Sequence, residues 1–567
     1  MRWTLQPPPD SQQRDQLAQE LGIDGFLAGL LVQRGIDTFA KARSFFRPNL
    51  DELHDPFLMQ DMEAAVQRVQ QAIGNNENIL IYGDYDVDGT TSVALMATFL
   101  HSFYDRVATY IPDRYTEGYG VSIQGIDYAA DNQCSLIIAL DCGIKAVDKV
   151  AYAAEKGIDF IICDHHRPGK VLPKAVAVLD PKRADCSYPF KELCGCGVGF
   201  KLCQAIALTN DWEFEMLIPY LDLVATAIAA DIVPITGENR ILAYHGLNVI
   251  NTCPRPGIEA LISNLNKTSL TITDVVFVIA PRINAAGRMK HGLHAVELLT
   301  QNDPETARKF AAEIENYNID RKDLDRNITL QALQQIEENE EQKRHTSVVY
   351  HKDWHKGVIG IVASRLIETY YRPTLVFTKS GDYLAASARS VKGFDVYQAL
   401  EQCSEFIEQF GGHKYAAGLT LLPEHYEAFK QRFEEVVCAT MEQRHRIQEL
   451  NIDSRLPLEN ISPKFFRILQ QMAPFGPGNM TPVFMTENLV DTGSGRCVGD
   501  QDAHLKLRVT SKINSKIAFD AIGFNLGGKC DLTTGKQAFD IAYSIDTNEW
   551  QGVTSLQLKL RDLLPHS

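Results

Sequence analysis

The sequence predicts an α/β protein: a parallel-sheet domain joined by a long helix to a smaller α/β domain, with a β-barrel toward the C-terminal end. Three patterns predict it. Short apolar runs alternate with helix-like segments between residues 79 and 163, as strands do when they cross over through helices into one parallel sheet. A charged, helically periodic stretch runs from about Glu297 to Glu341 and reads as one connecting helix with a solvated face. From about Asn451 onward, alternating segments such as His504-Leu505-Lys506-Leu507-Arg508-Val509 suit a small barrel.

Composition sets the limits within which these elements are read. The chain has 567 residues, which suggests about three or four domains. Its 45% hydrophobic and 23% charged residues are ordinary globular usage, with no segment of disordered composition. The most apolar stretch, Leu221 to Val233, is interrupted by Asp222 and Asp231, so no membrane span is expected and the chain reads as soluble and cytoplasmic. The 12 cysteines lack C-x-x-C spacing. Cys194 and Cys196 lie close together without a second Cys/His pair, which favours core thiols over a zinc ribbon or a disulfide framework. A net charge of −16 argues against binding nucleic acid by overall attraction. It leaves room for a local basic channel, and for carboxylates gathered around divalent cations.

Taken in order, residues from Ser11 to about Val69 alternate helical periodicity with turns and carry no evident chemistry; a packing cap is expected. Ile79-Leu80-Ile81-Tyr82 reads as a buried strand that delivers Asp84, Asp86 and Asp88 at its C-terminal end. Leu136 to Leu140 is a second strand, ending in Asp141-Cys142-Gly143. Asp159 to Cys163 is a third, ending in Asp164-His165-His166. Asp231 closes a helix-like run. Open α/β sheets place ligands outside the carboxyl ends of their strands, where all these groups fall.

Three aspartates within five residues repel one another unless cations are present. A calcium loop of EF-hand type fits D-x-D-x-D-G, but its twelfth position is Leu95 where a bidentate Glu is needed. A solvated acidic turn is the bland alternative. Convergence of several strand ends favours a metal site, and mixed carboxylate and imidazole ligation favours Mn²⁺ over Ca²⁺. Two adjacent metals suit in-line phosphoryl displacement. No G-x-S-x-G elbow points to a covalent nucleophile, and Thr90-Thr91-Ser92 are expected to cap the following helix.

Asp84-Tyr85-Asp86-Val87-Asp88-Gly89, Asp141-Cys142-Gly143, Asp164-His165-His166 and Asp231-Ile232-Val233-Pro234 resemble the four ordered motifs of the DHH phosphoesterase family, and Gly411-Gly412-His413 through Gly418 is similar to its companion DHHA1 domain. Pro281-Arg282-Ile283-Asn284-Ala285-Ala286-Gly287-Arg288 and Phe475-Gly476-Pro477-Gly478-Asn479 narrow the resemblance to the branch that digests single-stranded DNA from its 5′ end. Met480 and Lys290 depart from that branch's usual residues. The resemblance runs from about residue 50 onward; after an N-terminal helical cap over 1–70 it implies a DHH catalytic domain over 71–300, a connecting helix over 301–345, a DHHA1 domain over 346–450 and an OB-like nucleic-acid-binding barrel over 451–567.

It further implies two divalent ions, Mn²⁺ or Mg²⁺. Asp86 and Asp141, with Asp84 as helper, would hold one, and Asp88, Asp141, His165 and Asp231 the other. His166 would face the scissile phosphate. Arg114, Ser387 and Arg389 would take the 5′-phosphate. Arg282, Asn284, Arg288 and His413 would line the passage for the strand, or equally buttress loops, and Tyr115 and Tyr119 would stack on bases or pack in their turn. Arg496, Lys506, Arg508 and Lys512 would supply the barrel's basic face. Implied partners are single-stranded DNA, a single-strand-binding protein and a RecQ-type helicase, with the chain a monomer. Relatives with small substrates such as pyrophosphate, short oligonucleotides or cyclic dinucleotides are the competing reading; a barrel and a long helix make more sense for a polymer. A catalytically dead scaffold is disfavoured because every ligand position is filled.

Overall fold

In the computed structural model, which describes residues 1–533 and 537–566, the chain divides into two units, 53–233 with 237–448, and 1–52 with 234–236 and 449–567. The first holds a five-stranded parallel sheet in the order Val107–Tyr110, Asn78–Gly83, Cys134–Leu140, Asp159–Cys163 and Ala177–Leu179. The inner runs form strands because they are largely apolar in both alternating positions, and a sheet covered by helices on both faces buries both; the edge strand Val107–Tyr110 is only partly buried. On one face Leu80, Tyr82, Ile137, Ala139, Phe160 and Ile162 pack with the helices Ile123–Asp131 and Val147–Glu155. On the other lie Val87–His101 and Gly195–Thr209, both almost wholly buried. Each parallel crossover returns the chain to the same edge, so the strand ends bearing Asp84, Asp141 and Asp164 share one side of the sheet.

The helix Pro304–Glu338 is capped by Asp303, which accepts the Thr306 N–H at 2.8 Å, and has Pro at its first position. Its C-terminal part, through Ile328, Ala332 and Ile336, packs with the helix Ile359–Thr369 and with Val349 and Val376 of a second sheet. That sheet runs in the order Gln409–His413, Ala416–Leu421, Tyr383–Arg389, Thr374–Ser380 and Ser347–Tyr350, parallel only at its last pair.

In the other unit, strands Phe484–Asp491, Phe539–Trp550, Val553–Pro565, Ala518–Gly523 and His504–Ser511 pair in succession, and the last returns to the first through Leu489 opposite Ser511. The expected barrel is therefore closed by five strands. Its core extends into Leu17, Leu27, Leu30, Leu31 and Ala42, and the strand Arg2–Leu5 pairs in parallel with Glu449–Ile452. The stretch read as a cap over 1–70 thus divides at residue 52, with the helix Met62–Gly74 lying in the first unit. An amphipathic helix shows that one face is buried, not which core buries it.

One local expectation is corrected. Thr90, Thr91 and Ser92 do not cap the helix after the first strand: Asp86 does, accepting the Gly89 N–H at 3.0 Å. The three hydroxyls donate back to the carbonyls of Asp86, Val87 and Asp88 at 2.6, 2.6 and 2.7 Å. A carboxylate four residues earlier takes the cap, and the hydroxyls then have only their own preceding turn to bond. No helix of the described residues is long and apolar enough to cross a membrane.

Candidate metal centre

Each candidate ligand is set by a local feature. Asp88 lies in the first turn of its helix and accepts the backbone N–H groups of Gly195 and Cys196, both at 2.7 Å, from the start of the helix Gly195–Thr209. Two helix N-termini therefore meet on one carboxylate. Asp141 has a left-handed φ of 58°, and its own N–H donates to the Cys163 carbonyl at 2.8 Å, which turns the side chain off the strand end. Asp164 accepts the N–H groups of Ile144, His165 and His166 at 2.9, 2.7 and 3.0 Å, and its Oδ1 lies 2.8 Å from His166 Nδ1. Asp231 ends the helix Leu221–Ala230.

These segments converge on His165. Its Nε2 lies 3.2 Å from Asp141 Oδ1, 3.6 Å from Asp231 Oδ2 and 3.7 Å from Asp88 Oδ2. Two atoms bound at about 2.1 Å to one octahedral ion sit about 3 Å apart, so the spacing is close to that of ligands around a shared cation. Asp141, His165 and His166 form one group able to hold an ion, and Asp88, His165 and Asp231 another. Asp84 and Asp86 fall in neither group of three. Asp84 is wholly buried, however, and neither of its oxygens has a well-formed hydrogen bond; Asp141 Oδ1 and both His165 nitrogens are likewise buried without one. Orphaned acceptors in such number fit divalent cations.

The electrostatics agree. Burial, then Asp86, holds the carboxyl of Asp84 well above its usual range, and burial, then Asp88, Asp86 and Asp231, does so for Asp141. Burial and Asp86 raise Asp88 to about 7 against the pull of the Cys196 and Gly195 amides, and burial, Asp88 and Asp86 raise Asp231 to about 8. Burial and the charge of His166 lower His165 to about 3. For His166 the effect of burial is overcome by Asp164, then by Asp231 and Asp88, which raise it to about 9. Burial would raise Asp164, but its bond with His166 and that residue's charge bring it down to about 2.

A pH dependence follows. An acid with a raised folded pKa keeps a proton that the unfolded chain has lost, so Asp88 and Asp231 make stability fall as pH rises toward 7 and 8. His166, raised from 6.5 to about 9, contributes stability that is full below 6.5 and lost as pH passes 9. His165, being lowered, acts only below 6.5. The thermal midpoint of chelated protein is therefore expected to drop between pH 6.5 and 9, with a shallower drop in saturating Mg²⁺. A flat or rising midpoint in chelator would contradict the charge crowding.

Sequence reasoning gave no role to Asp164 or to the Gly195 and Cys196 amides, and a different one to Tyr119. The Gly195 and Cys196 amides hold Asp88, and the only sign was a helix beginning at a run of small residues. Asp164, read as part of a motif without a role, orients and charges His166. Tyr119, considered only for stacking or for packing in its turn, also places its hydroxyl 3.2 Å from His166 Nε2 while its ring stays half exposed.

A second cluster gathers the arginines. Arg114 Nε donates to the Gly287 carbonyl at 3.2 Å with the guanidinium 3.9 Å above the Tyr85 ring. Arg288 donates to the Gly357 carbonyl at 2.9 Å, and Arg389 to the Ala388 carbonyl at 2.9 Å and the Ser387 hydroxyl at 3.4 Å. Burial, then repulsion by Arg114 and Arg389, lowers Arg288 to about 10, which brings it into the group with the expected phosphate ligands. Tyr115 donates its hydroxyl to the Arg288 carbonyl. Arg282 is committed elsewhere, 2.5 Å from Glu315 and 2.8 Å from the Val278 carbonyl, and Asn284 is half-buried one turn before Arg288. His413 is exposed on its strand; partial burial, then Lys145 and His166, lower its pKa. On the barrel, Arg508 lies 4.0 Å from Asp520, while Arg496 is opposite Lys506 in register.

Comparison with known proteins gives the class first. The model of the DHH family, N-terminal domain, matches residues 78–228, that of the DHHA1 domain 342–439 and that of the RecJ OB domain 452–562. With the acidic and imidazole groups at its sheet edge, the architecture is that of a DHH/DHHA1 phosphoesterase. The single-stranded-DNA-specific exonuclease RecJ of Bacillus subtilis is 36% identical, over 99% of this chain and 70% of that protein, and its Escherichia coli counterpart is 33% identical over 89% and 91%. Crystal structures of RecJ from Thermus thermophilus in complex with Mn²⁺ (26% identity, TM-score 0.86, 100% of this chain and 80% of that one) and of exonuclease RecJ bound to manganese (30%, 0.61, 70% and 97%) are also similar. The chain belongs to the RecJ family.

Proposed function

We propose that the chain is a metal-dependent exonuclease that shortens single-stranded DNA in the 5′ to 3′ direction to mononucleotides, in DNA repair and recombination. The observation that carries it is the convergence of Asp88, Asp141 and Asp231 on His165, in a family whose relatives are named as single-stranded-DNA-specific exonucleases. The matches also extend through the barrel, which a small-substrate phosphodiesterase would not need.

Asp88, Asp141, His165 and Asp231 would hold one divalent ion, Mn²⁺ or Mg²⁺, and Asp84, Asp86 and Asp141 a second. Once bound, such ions polarise the phosphodiester and lower the pKa of water. His166, held cationic by Asp164 through Nδ1, would turn its Nε2–H from the Tyr119 hydroxyl to a phosphoryl oxygen and donate to it as negative charge develops. Arg114, Ser387, Arg389 and Arg288 grip the terminal phosphate and so count the strand from its 5′ end. Asn284 and His413 line the strand's path, and Arg282 buttresses it through Glu315. We assign the chain to the cytoplasm as a monomer that works beside a single-strand-binding protein and a RecQ-type helicase.

The test compares end-blocked single-stranded DNA, duplex DNA, RNA and pyrophosphate with Mg²⁺ or Mn²⁺. Mononucleotides are expected from single-stranded DNA with an open, phosphorylated 5′ end. Equal digestion of strands open only at the 3′ end would refute the polarity, and preferential pyrophosphate hydrolysis the substrate.

A further inference from the structure

We propose that Gly360 is a specificity-determining position: its missing side chain is the room in which Ser387 and Arg389 take hold of a phosphate monoester dianion. The inference rests on the reading of Arg114, Ser387 and Arg389 as the terminal-phosphate pocket.

The cluster is built for an anion. Among the described residues no carboxylate is paired with Arg114, Arg288 or Arg389; each guanidinium is aimed by neutral carbonyl or hydroxyl groups, which orient it without cancelling its charge. A terminal phosphate, with up to two charges and several acceptor oxygens, relieves that repulsion better than an internal diester with one charge. Shape must then admit the extra oxygen.

Gly360 controls that shape. It lies in the first turn of the helix Ile359–Thr369, outside the left-handed region of backbone conformation. A Cβ there would lie 2.9 Å from Ser387 Oγ, 3.0 Å from Arg389 Nη2 and 3.6 Å from Arg389 Cζ. All three are ends of side chains, so the backbone need not move; the two phosphate-holding groups must. Gly357 differs, since a Cβ at that position would meet the Arg288 backbone carbonyl at 2.6 Å. Alanine is also the better helix former, so Gly360→Ala leaves the fold intact while it displaces the pocket's donors.

The experiment measures steady-state cleavage of the same single strand with a 5′-phosphate or a 5′-hydroxyl, in Mg²⁺, by the full chain and by Gly360→Ala, Arg389→Ala and the double variant. Because small misplacement of positioning groups costs up to about a hundredfold, the phosphate-over-hydroxyl ratio of kcat/KM should fall by about tenfold or more in Gly360→Ala, chiefly through KM for the phosphorylated strand. Its thermal midpoint should not fall, and the double variant should discriminate no worse than Arg389→Ala alone. Loss of the ratio in Arg389→Ala with full retention in Gly360→Ala overturns this inference and leaves the pocket standing. Retention in both overturns the pocket reading itself. Equal loss on both ends by Gly360→Ala, or a lowered midpoint, means general damage and also overturns it.

Discussion

Asp141→Asn is expected to reduce cleavage of single-stranded DNA by about a thousandfold or more while making the metal-free protein more heat-stable. The first effect follows from position. Asp141 Oδ1 is 3.2 Å from His165 Nε2 and 4.0 Å from His166 Nδ1, and the charges of Asp88, Asp86 and Asp231 all bear on it. Metal-assisted charge stabilisation is worth several kcal/mol, and about 1.4 kcal/mol is a factor of ten. The second effect follows from charge: an amide of the same shape removes one buried carboxyl whose ionised form is repelled by its neighbours. Asn also tolerates the left-handed φ of 58° at least as well as Asp, so the backbone is spared. Single-turnover cleavage in Mn²⁺ and thermal scans in chelator read the two effects separately. Activity within tenfold of the parent would sink the proposed centre.

Gly195→Ala should come close to it in severity, although Gly195 is not a candidate ligand. A Cβ at that position would lie 2.5 Å from Asp141 Cβ, 2.6 Å from its Oδ1 and 2.8 Å from its Cα. Either Asp141 or the start of the helix Gly195–Thr209 must retreat. If the helix retreats, Asp88 loses the two N–H groups now at 2.7 Å. Removal of groups that orient metal ligands costs about ten- to a hundredfold in affinity or activity, and here two ligands are disturbed at once. Calorimetric titration with Mn²⁺ should show weakened binding by at least that factor, with far-ultraviolet circular dichroism unchanged. Undiminished Mn²⁺ affinity would mean that the close approach of Gly195 to Asp141 has no bearing on the ions.

The parallel sheet was readable because its three central strands are short runs that are apolar on both faces beyond their first one or two residues. Ile79–Tyr82 lies inside the strand Asn78–Gly83, Leu136–Leu140 inside Cys134–Leu140, and Asp159–Cys163 coincides with its strand. Burial on both faces leaves little other choice of residue, so such segments announce themselves. That aspartates and histidines cluster at one sheet edge was equally legible, because parallel crossovers carry every strand end there. Distances were not. The Gly195 contact joins Asp141 to a helix much further along the chain that no local signal attaches to it, and the role of Asp164 depends on the rotamer of His166. Arg288 comes from the helix Ala280–Met289 and Arg389 from the strand Tyr383–Arg389, so only tertiary packing could bring their charges together. The division of the first 70 residues was hidden for the same reason.

The order of the ligands along the parallel sheet bears on how the protein is made. Asp84 to Asp231 span about a quarter of the chain, and the arginine cluster draws on Ser387 and Arg389 much further on. A polypeptide still emerging from the ribosome lacks Asp231 until much of its parallel-sheet domain has been made, and lacks the residues of the proposed grip on a strand end until more than half of the sequence has been synthesised. On the proposed assignment, a chain cut short before Arg389 could hold the ions yet would lack the grip that selects a strand end.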